Sequence, residues 1–314
     1  MLIPDFSNVL DAYNRINSQI KKTPVLTSES VNNILGAEIF FKCENFQKVG
    51  AFKFRGASNA VLSLSDELAK CGVATHSSGN HAQALALAGR MRNIPAYIVM
   101  PDNSPKVKCD AVAGYGGKII YCEPTLKARE TTLEKVVSET GATFIHPYNN
   151  FEVISGQGTA ALELLREVCE LDIVMTPVGG GGLLSGTSIT VKALSPDTIV
   201  LAGEPKGADD AYRSLKEGEI VPSINPKTIA DGLLTSLGEM TFEIIRNNVT
   251  EIITVSEESI INAMRLIWER MKIIIEPSSA VTVAAIMENK EKFKNKRIGI
   301  ILSGGNVDLG KLPF

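Results

Sequence analysis

Residues Asp172–Leu194 read DIVMTPVGGGGLLSGTSITVKAL: an apolar run, the four consecutive glycines Gly179, Gly180, Gly181 and Gly182, then Leu183 opening a stretch with apolar residues at helical spacing. Strand, glycine turn, helix is the junction at which an open α/β sheet places ligands, because unhindered N–H groups and the positive end of a helix dipole converge there. A phosphate fits such a cradle. Four glycines in a row cost backbone entropy that an ordinary turn need not lose. The segment lacks the Lys-Ser/Thr ending of a P-loop and does not match G-x-G-x-x-G, so a nucleotide is not the expected occupant.

Outward from this junction the same alternation repeats. Strand-like runs fall at Glu38–Cys43, Val73–His76, Ala96–Met100, Lys118–Tyr121, Asp172–Thr176, Ile199–Ala202, Ile252–Val255 and Arg297–Leu302, with helical stretches at Ala82–Met91, Leu126–Thr140, Gly158–Glu170, Glu257–Met271 and Ser278–Asn289. Short apolar strands alternating with helices predict the doubly wound α/β class, a parallel-rich sheet covered on both faces. Val9, Leu10, Tyr13, Ile16 and Ile20 predict an N-terminal amphipathic helix with Ser7 as its cap. With 314 residues, 44% of them hydrophobic, the chain can bury a large core, and no repeat or linker divides it. A net charge of −3 with both signs interspersed offers no basic stripe, so no nucleic-acid partner is expected. No apolar run reaches the roughly 20 residues that span a bilayer, and a cytoplasmic protein is expected. Five scattered cysteines without a C-x-x-C pair indicate neither a disulfide framework nor a zinc site.

Three further junctions carry chemical groups. In GAFKFRGA (Gly50–Ala57), Lys53 stands between Phe52 and Phe54 at a helix start; partial desolvation would lower its pKa and suit it to Schiff-base chemistry. Taken alone, the segment reads rather as a snorkelling surface lysine, the commoner fate of a lysine beside phenylalanines. In THSSGNHAQA (Thr75–Ala84), Ser77, Ser78, Asn80 and helix N-terminal N–H groups face one crevice suited to a carboxylate or an aromatic hydroxyl, and His81 reads on general grounds as a satisfied core histidine. In IILSGGN (Ile300–Asn306), Ser303 ends an apolar strand, where its hydroxyl can meet a ring nitrogen or merely cap a turn.

In this order the four segments resemble fold-type II pyridoxal phosphate (PLP) enzymes of the tryptophan synthase β-like group, and within them the serine racemase and serine/threonine dehydratase family. The resemblance runs from KTPVL (Lys22–Leu26) to SGGNVDL (Ser303–Leu309), and takes in KCENFQK (Lys42–Lys48), Ala230-Asp231-Gly232 and WERMK (Trp268–Lys272). It implies Lys53 as the Schiff-base lysine, Phe52 beside the cofactor ring, Asn80 on the 3′-hydroxyl, Gly179–Gly182 with Leu183 as the phosphate loop, and Ser303 on the pyridine nitrogen. A hydroxyl leaves that nitrogen largely unprotonated and the electron sink shallow, favouring prompt elimination or reprotonation. Ser77, Ser78, Asn80 and His81 match the loop for the substrate carboxylate. Arg129 aligns with a residue near that carboxylate in some relatives, and reads equally as a solvated helical arginine.

Degradative threonine dehydratases carry Ser-Ala-Gly-Asn-His where this chain has Ser77-Ser78-Gly79-Asn80-His81; serine racemases are similar to it at Ser78. Lys53 on one face of the α-carbon and Ser78 on the other would form a two-base racemase. The resemblance further implies a divalent-cation site at Glu204, Ala208 and Asp210 holding Mg²⁺ (or Ca²⁺ or Mn²⁺); taken cold, that loop is a solvated acidic turn. Nucleotide-regulated members have threonine where this chain has Val49, so ATP regulation is not implied, and no C-terminal feedback-control extension is expected. Also implied are a large domain (1–71 and 150–314), a small mobile domain (72–149) with PLP in the cleft between, and a homodimer. The expected activity is a serine racemase with L-serine and L-threonine dehydratase activity. Alternatives are a threo-3-hydroxyaspartate or threonine dehydratase with little racemisation, an aspartate racemase, and a non-catalytic PLP-binding protein.

Overall fold

The central apolar runs become parallel strands buried on both faces, as in Ile173–Pro177 and Arg297–Leu302, while Lys118–Cys122 is a partly exposed edge strand, and the resulting sheets decide where the loops meet. The computed structural model describes residues 2–314, so residue 1 of the expected large domain lies outside it. One sheet has six strands in the order β1-β2-β10-β7-β8-β9: β1 (Val25–Leu26), β2 (Glu38–Cys43), β7 (Ile173–Pro177), β8 (Ile199–Pro205), β9 (Glu251–Val255) and β10 (Arg297–Leu302). The other has four in the order β5-β4-β3-β6: β3 (Val73–His76), β4 (Ala96–Pro101), β5 (Lys118–Cys122) and β6 (Thr143–Phe144). All pairs are parallel except β1 with β2. The four-stranded sheet is drawn wholly from residues 73–144, between two parts of the chain that build the larger sheet.

Register aligns the functional junctions. Ile300 of β10 lies opposite Phe41 of β2 and Met175 of β7, so the carboxyl ends of these strands leave the sheet on one edge. The glycine loop, Ser303 and the Glu44 turn therefore emerge together, where open α/β sheets bind ligands. Phe41, Met175, Ile300 and Leu302 are fully buried in the core beneath that edge.

Two sequence expectations are corrected. The N-terminal helix (Phe6–Ile16) is capped by Asp5, whose carboxylate accepts the N–H groups of Ser7 and Asn8, while Asn8 completes the capping box; Ser7 sits inside the first turn. A carboxylate two residues upstream outcompeted the hydroxyl. The helix expected over Gly158–Glu170 spans Phe151–Glu167, capped by the Asn150 side chain on the Val153 N–H. Gly156 and Gly158, each costing about 1 kcal/mol of helix propensity, masked its first half.

Candidate active site

Lys53 opens a helix (Lys53–Leu62) that has no side-chain cap of its own. Its turn is fixed instead to the end of β10: the Phe52 N–H donates to the Ser303 carbonyl at 2.9 Å, and Ala51 bridges Gly304. The half-buried Lys53 ammonium donates to the Pro147 carbonyl at 2.9 Å and stands 5.1 Å from the Phe52 ring centroid. Burial brings this amine down to about 8, against the opposing pull of the Glu276 carboxylate. An amine that loses its proton near neutrality is a ready nucleophile toward a carbonyl.

The glycine loop lies one residue from the same acceptor. A Cβ on Gly180 would stand 2.3 Å from the Tyr148 ring, and one on Gly179 would stand 2.8 Å from the Leu233 Cα. Gly181, at φ 86°, is the uncapped N-terminus of the Gly182–Leu194 helix. The first-turn N–H groups therefore look for an external acceptor. With its helix dipole and its lack of side chains, the cradle fits a phosphate.

Ser77, Ser78 and Asn80 follow β3 and are half-buried. The Ser77 N–H donates to the Val99 carbonyl at 3.2 Å and the Gly79 N–H to the Ser77 hydroxyl at 3.4 Å, which shapes the turn. The Asn80 amide donates to both oxygens of Glu276 at 3.1 Å and accepts from the Asn306 amide at 2.8 Å. Glu276 is 4% exposed, and burial holds its carboxyl up at about 7 against the Asn80 hydrogen bond. Neither Glu276 nor Tyr148 stood out in the sequence: the only trace of Glu276 is a glutamate directly before Pro277 at a helix start.

All three histidines of the chain gather behind this loop. His81 is 2% exposed, with Nε2 3.2 Å from the Ile145 carbonyl and Nδ1 unpartnered. Burial keeps it down at about 3, with the Lys53 charge adding to the effect. The His146 ring lies 6.4 Å from that of His76 and 4.5 Å from that of Tyr148. Its Nδ1 accepts the Asn149 N–H at 2.9 Å. Arg129, half-buried, is near enough to lower the pKa of His76, whose chief cause is burial, and no carboxylate pairs with its guanidinium among the described residues.

The Glu204 loop stands apart on the end of β8. Glu204 accepts the N–H groups of Ala211 at 2.9 Å and Tyr212 at 2.8 Å, and burial pushes its carboxyl up to about 9. Asp210, 1% exposed, has both carboxylate oxygens unpartnered and is pushed by burial up to about 6. Ala208, also buried, lies in the turn between them. Among the described residues no cluster of three or more His, Cys, Asp or Glu side chains has metal-holding geometry. Two acidic ligands, a backbone carbonyl and water are what a hard divalent cation accepts, and such a charge would relieve both buried carboxylates.

Comparison with known proteins agrees with this geometry. Residues 16–304 match the family described as pyridoxal-phosphate dependent enzyme. The chain is 52% identical over 314 residues to a beta-hydroxyaspartate dehydratase of Paracoccus denitrificans, covering 100% of both chains. It is 53% identical over 309 residues to the serine racemase of Dictyostelium discoideum, covering 97% of this chain and 95% of that one. The crystal structure of that racemase superposes with a TM-score of 0.94 at 53% identity, over 97% of this chain and 99% of the other. Maize serine racemase superposes with a TM-score of 0.96 at 46% identity, over 98% and 95% of the two chains.

Proposed function

The chain belongs to the family of pyridoxal-phosphate dependent enzymes, and from that premise we propose that it is a serine racemase that also dehydrates L-serine and L-threonine. The observation that carries this reading is the convergence on Lys53: its amine meets Pro147, the next residue Tyr148 covers Gly180 of the glycine loop, and its own turn is bonded to Ser303. Racemases and a dehydratase stand at similar identity to the chain, as expected if both outcomes share one site.

Bound PLP supplies the sink for charge that builds at the substrate α-carbon. When bound, it would be held by Phe52 beside its ring, by the N–H groups of Gly179–Leu183 on its phosphate, by Asn80 at its 3′-hydroxyl and by Ser303 at its ring nitrogen. The Lys53 amine, held near neutrality, takes the α-proton on one face. Ser77, Ser78, Asn80, His81 and Arg129 receive the substrate carboxylate, and the Ser78 hydroxyl returns a proton on the other face to give D-serine. Loss of the β-hydroxyl instead gives, after hydrolysis, pyruvate and ammonia. Residues 72–149 form a small domain whose closure on the large one (1–71 and 150–314) excludes water. Glu204, Ala208 and Asp210 hold Mg²⁺, Ca²⁺ or Mn²⁺, supported by the two unpartnered oxygens of Asp210. The family reading extends to a cytoplasmic homodimer.

The test is purified protein incubated with L-serine and Mg²⁺, with D-serine and pyruvate assayed together. Ser78→Ala is expected to abolish D-serine while some pyruvate persists, and Lys53→Ala to lose both along with the visible absorption. Pyruvate alone from the wild type would reject the racemase. A second reading, a 3-hydroxyaspartate dehydratase, is favoured by one observation: Arg129, unpaired beside His76, offers a cation to a second substrate carboxylate.

A further inference from the structure

The Lys53 helix and the Gly182–Leu194 helix carry the two chemically decisive turns, and the Phe151–Glu167 helix packs against both, touching each at backbone distance. On the lysine side, a Cβ on Gly156 would stand 2.6 Å from the Gly56 Cα and 2.9 Å from the Arg55 carbonyl. On the glycine-loop side, a Cβ on Gly186 would stand 2.5 Å from both the Gly158 nitrogen and the Ile154 carbonyl. Backbone cannot yield to such atoms as a side-chain tip can. The intervening helix therefore works as a spacer whose thickness on each side is set by a missing side chain.

Polar contacts lock both faces. Gln157, fully buried, accepts the Gly56 N–H on Oε1 at 3.2 Å, serving from a neighbouring helix as the cap that the Lys53 helix lacks. Its Nε2 has no partner. Glu163 of the same helix accepts two hydrogen bonds from Arg55, at 3.0 and 2.8 Å. On the opposite face the Thr190 hydroxyl reaches the Gly158 carbonyl at 3.2 Å and the Gly186 carbonyl at 2.9 Å.

We propose that the Gly156-Gln157-Gly158 segment fixes the distance between Lys53 and the phosphate cradle, with Gln157 the positioning residue for the Lys53 turn. It rests on the reading of Lys53 and the glycine loop as the two anchors of PLP, and it makes the fit of a phosphorylated aldehyde depend on contacts between helices remote from the cleft.

Pyridoxal, which has the aldehyde and no phosphate, separates the two anchors. The full chain is stripped of cofactor with hydroxylamine and titrated with PLP and, separately, with pyridoxal, following visible absorption; thermal unfolding reports the fold. In Gly158→Ala the wedge parts the spacer from the glycine-loop helix: PLP affinity falls by at least about tenfold, while pyridoxal affinity stays within about twofold. In Gln157→Leu the lysine turn itself loses its cap, so both ligands weaken together. Should Gly158→Ala fail to fold, Thr190→Val carries the test, with PLP weakened about threefold and pyridoxal unchanged. An unchanged ratio of the two affinities in these glycine-side variants overturns the proposal. A wild-type protein that binds PLP no better than pyridoxal would instead reject the phosphate-loop reading on which it rests.

Discussion

His81 and His146 are held neutral beside a lysine that is itself partly discharged, and burial is the first cause for all three. Their pKa values, about 3 and about 4, lie below the ordinary histidine value. Between those values and about 6.5 the unfolded chain binds protons that the folded chain refuses, so each histidine removes stability as pH falls, by about 1.4 kcal/mol per pH unit. Glu276, raised to about 7, works in the opposite sense: the folded chain keeps its proton at a pH where the unfolded chain has lost it, and stability is gained as pH falls below about 7. The clean measurement is therefore a difference. His146→Gln, which keeps an acceptor for the Asn149 N–H, should lose stability less steeply than the wild type between pH 6.5 and 4 in urea melts, by up to about 1.4 kcal/mol per unit; parallel curves would show that His146 is protonated in the folded protein. These residues also mark what a sequence reveals. Lys53, Ser303 and the glycines could be singled out in the sequence because each stands at the end of a strand or the start of a helix with a chemical reason for its residue type. Glu276 and Tyr148 were not, since their meaning lies in contacts with Asn80 and Gly180, 196 and 32 residues away.

At the scale of elements, the helix bearing Lys53 is anchored by a buried ion network with no exposed member. Arg55 donates to Glu44 at 2.7 Å and to Glu163 at 2.8 Å, Lys42 pairs with Glu163 at 2.7 Å, and Thr23 donates to Glu44 at 2.5 Å. Two cations and two anions balance, and each is satisfied by the others, which is the condition for burying charge at all. Removing one charge leaves the rest uncompensated. Glu163→Gln is expected to cost about 3–5 kcal/mol of unfolding free energy in urea titration. A loss below about 1 kcal/mol would mean that the network relaxes onto water. The sequence offered Lys42, Glu44 and Arg55 inside the segments that resemble the family, yet not Glu163, because the helix that holds it was read from Gly158 onward and its packing face was invisible without its first two turns. Strand positions, by contrast, were largely recoverable: fully buried parallel strands announce themselves as unbroken apolar runs.

Across the whole molecule, the two sheets are tied over the cleft by few direct polar contacts. Asn80 reaches Glu276 and Asn306 inside, while Lys108, on the Lys106–Gly114 helix, pairs with Asp231 at 2.7 Å outside. Alternating strands and helices predicted doubly wound sheets, and the glycine-rich turn pointed to the carboxyl ends of the strands as the place of the ligand. What spacing could not supply is the contact between sheets, because nothing in the segment Ala230-Asp231-Gly232 points to Lys108, 123 residues away. With 33% and 55% of their side chains exposed, they form a pair worth only about 0.2–1 kcal/mol. That is too little to matter for global stability. It is enough to matter for the closure of residues 72–149 proposed above, where the same energy would change the closed population by about 1.4- to 5-fold. Lys108→Met should therefore leave the unfolding temperature within about 2 °C of wild type while lowering kcat/KM for L-serine by up to about fivefold, with a smaller loss in kcat, since bound substrate helps to close the cleft. The difference between variant and wild type should also fade as salt is raised, since the wild type's exposed pair is screened over a Debye length of about 3 Å at 1 M ionic strength. Equal kcat/KM for variant and wild type at low salt would show that closure is governed inside the cleft, by Asn80 and Glu276 alone.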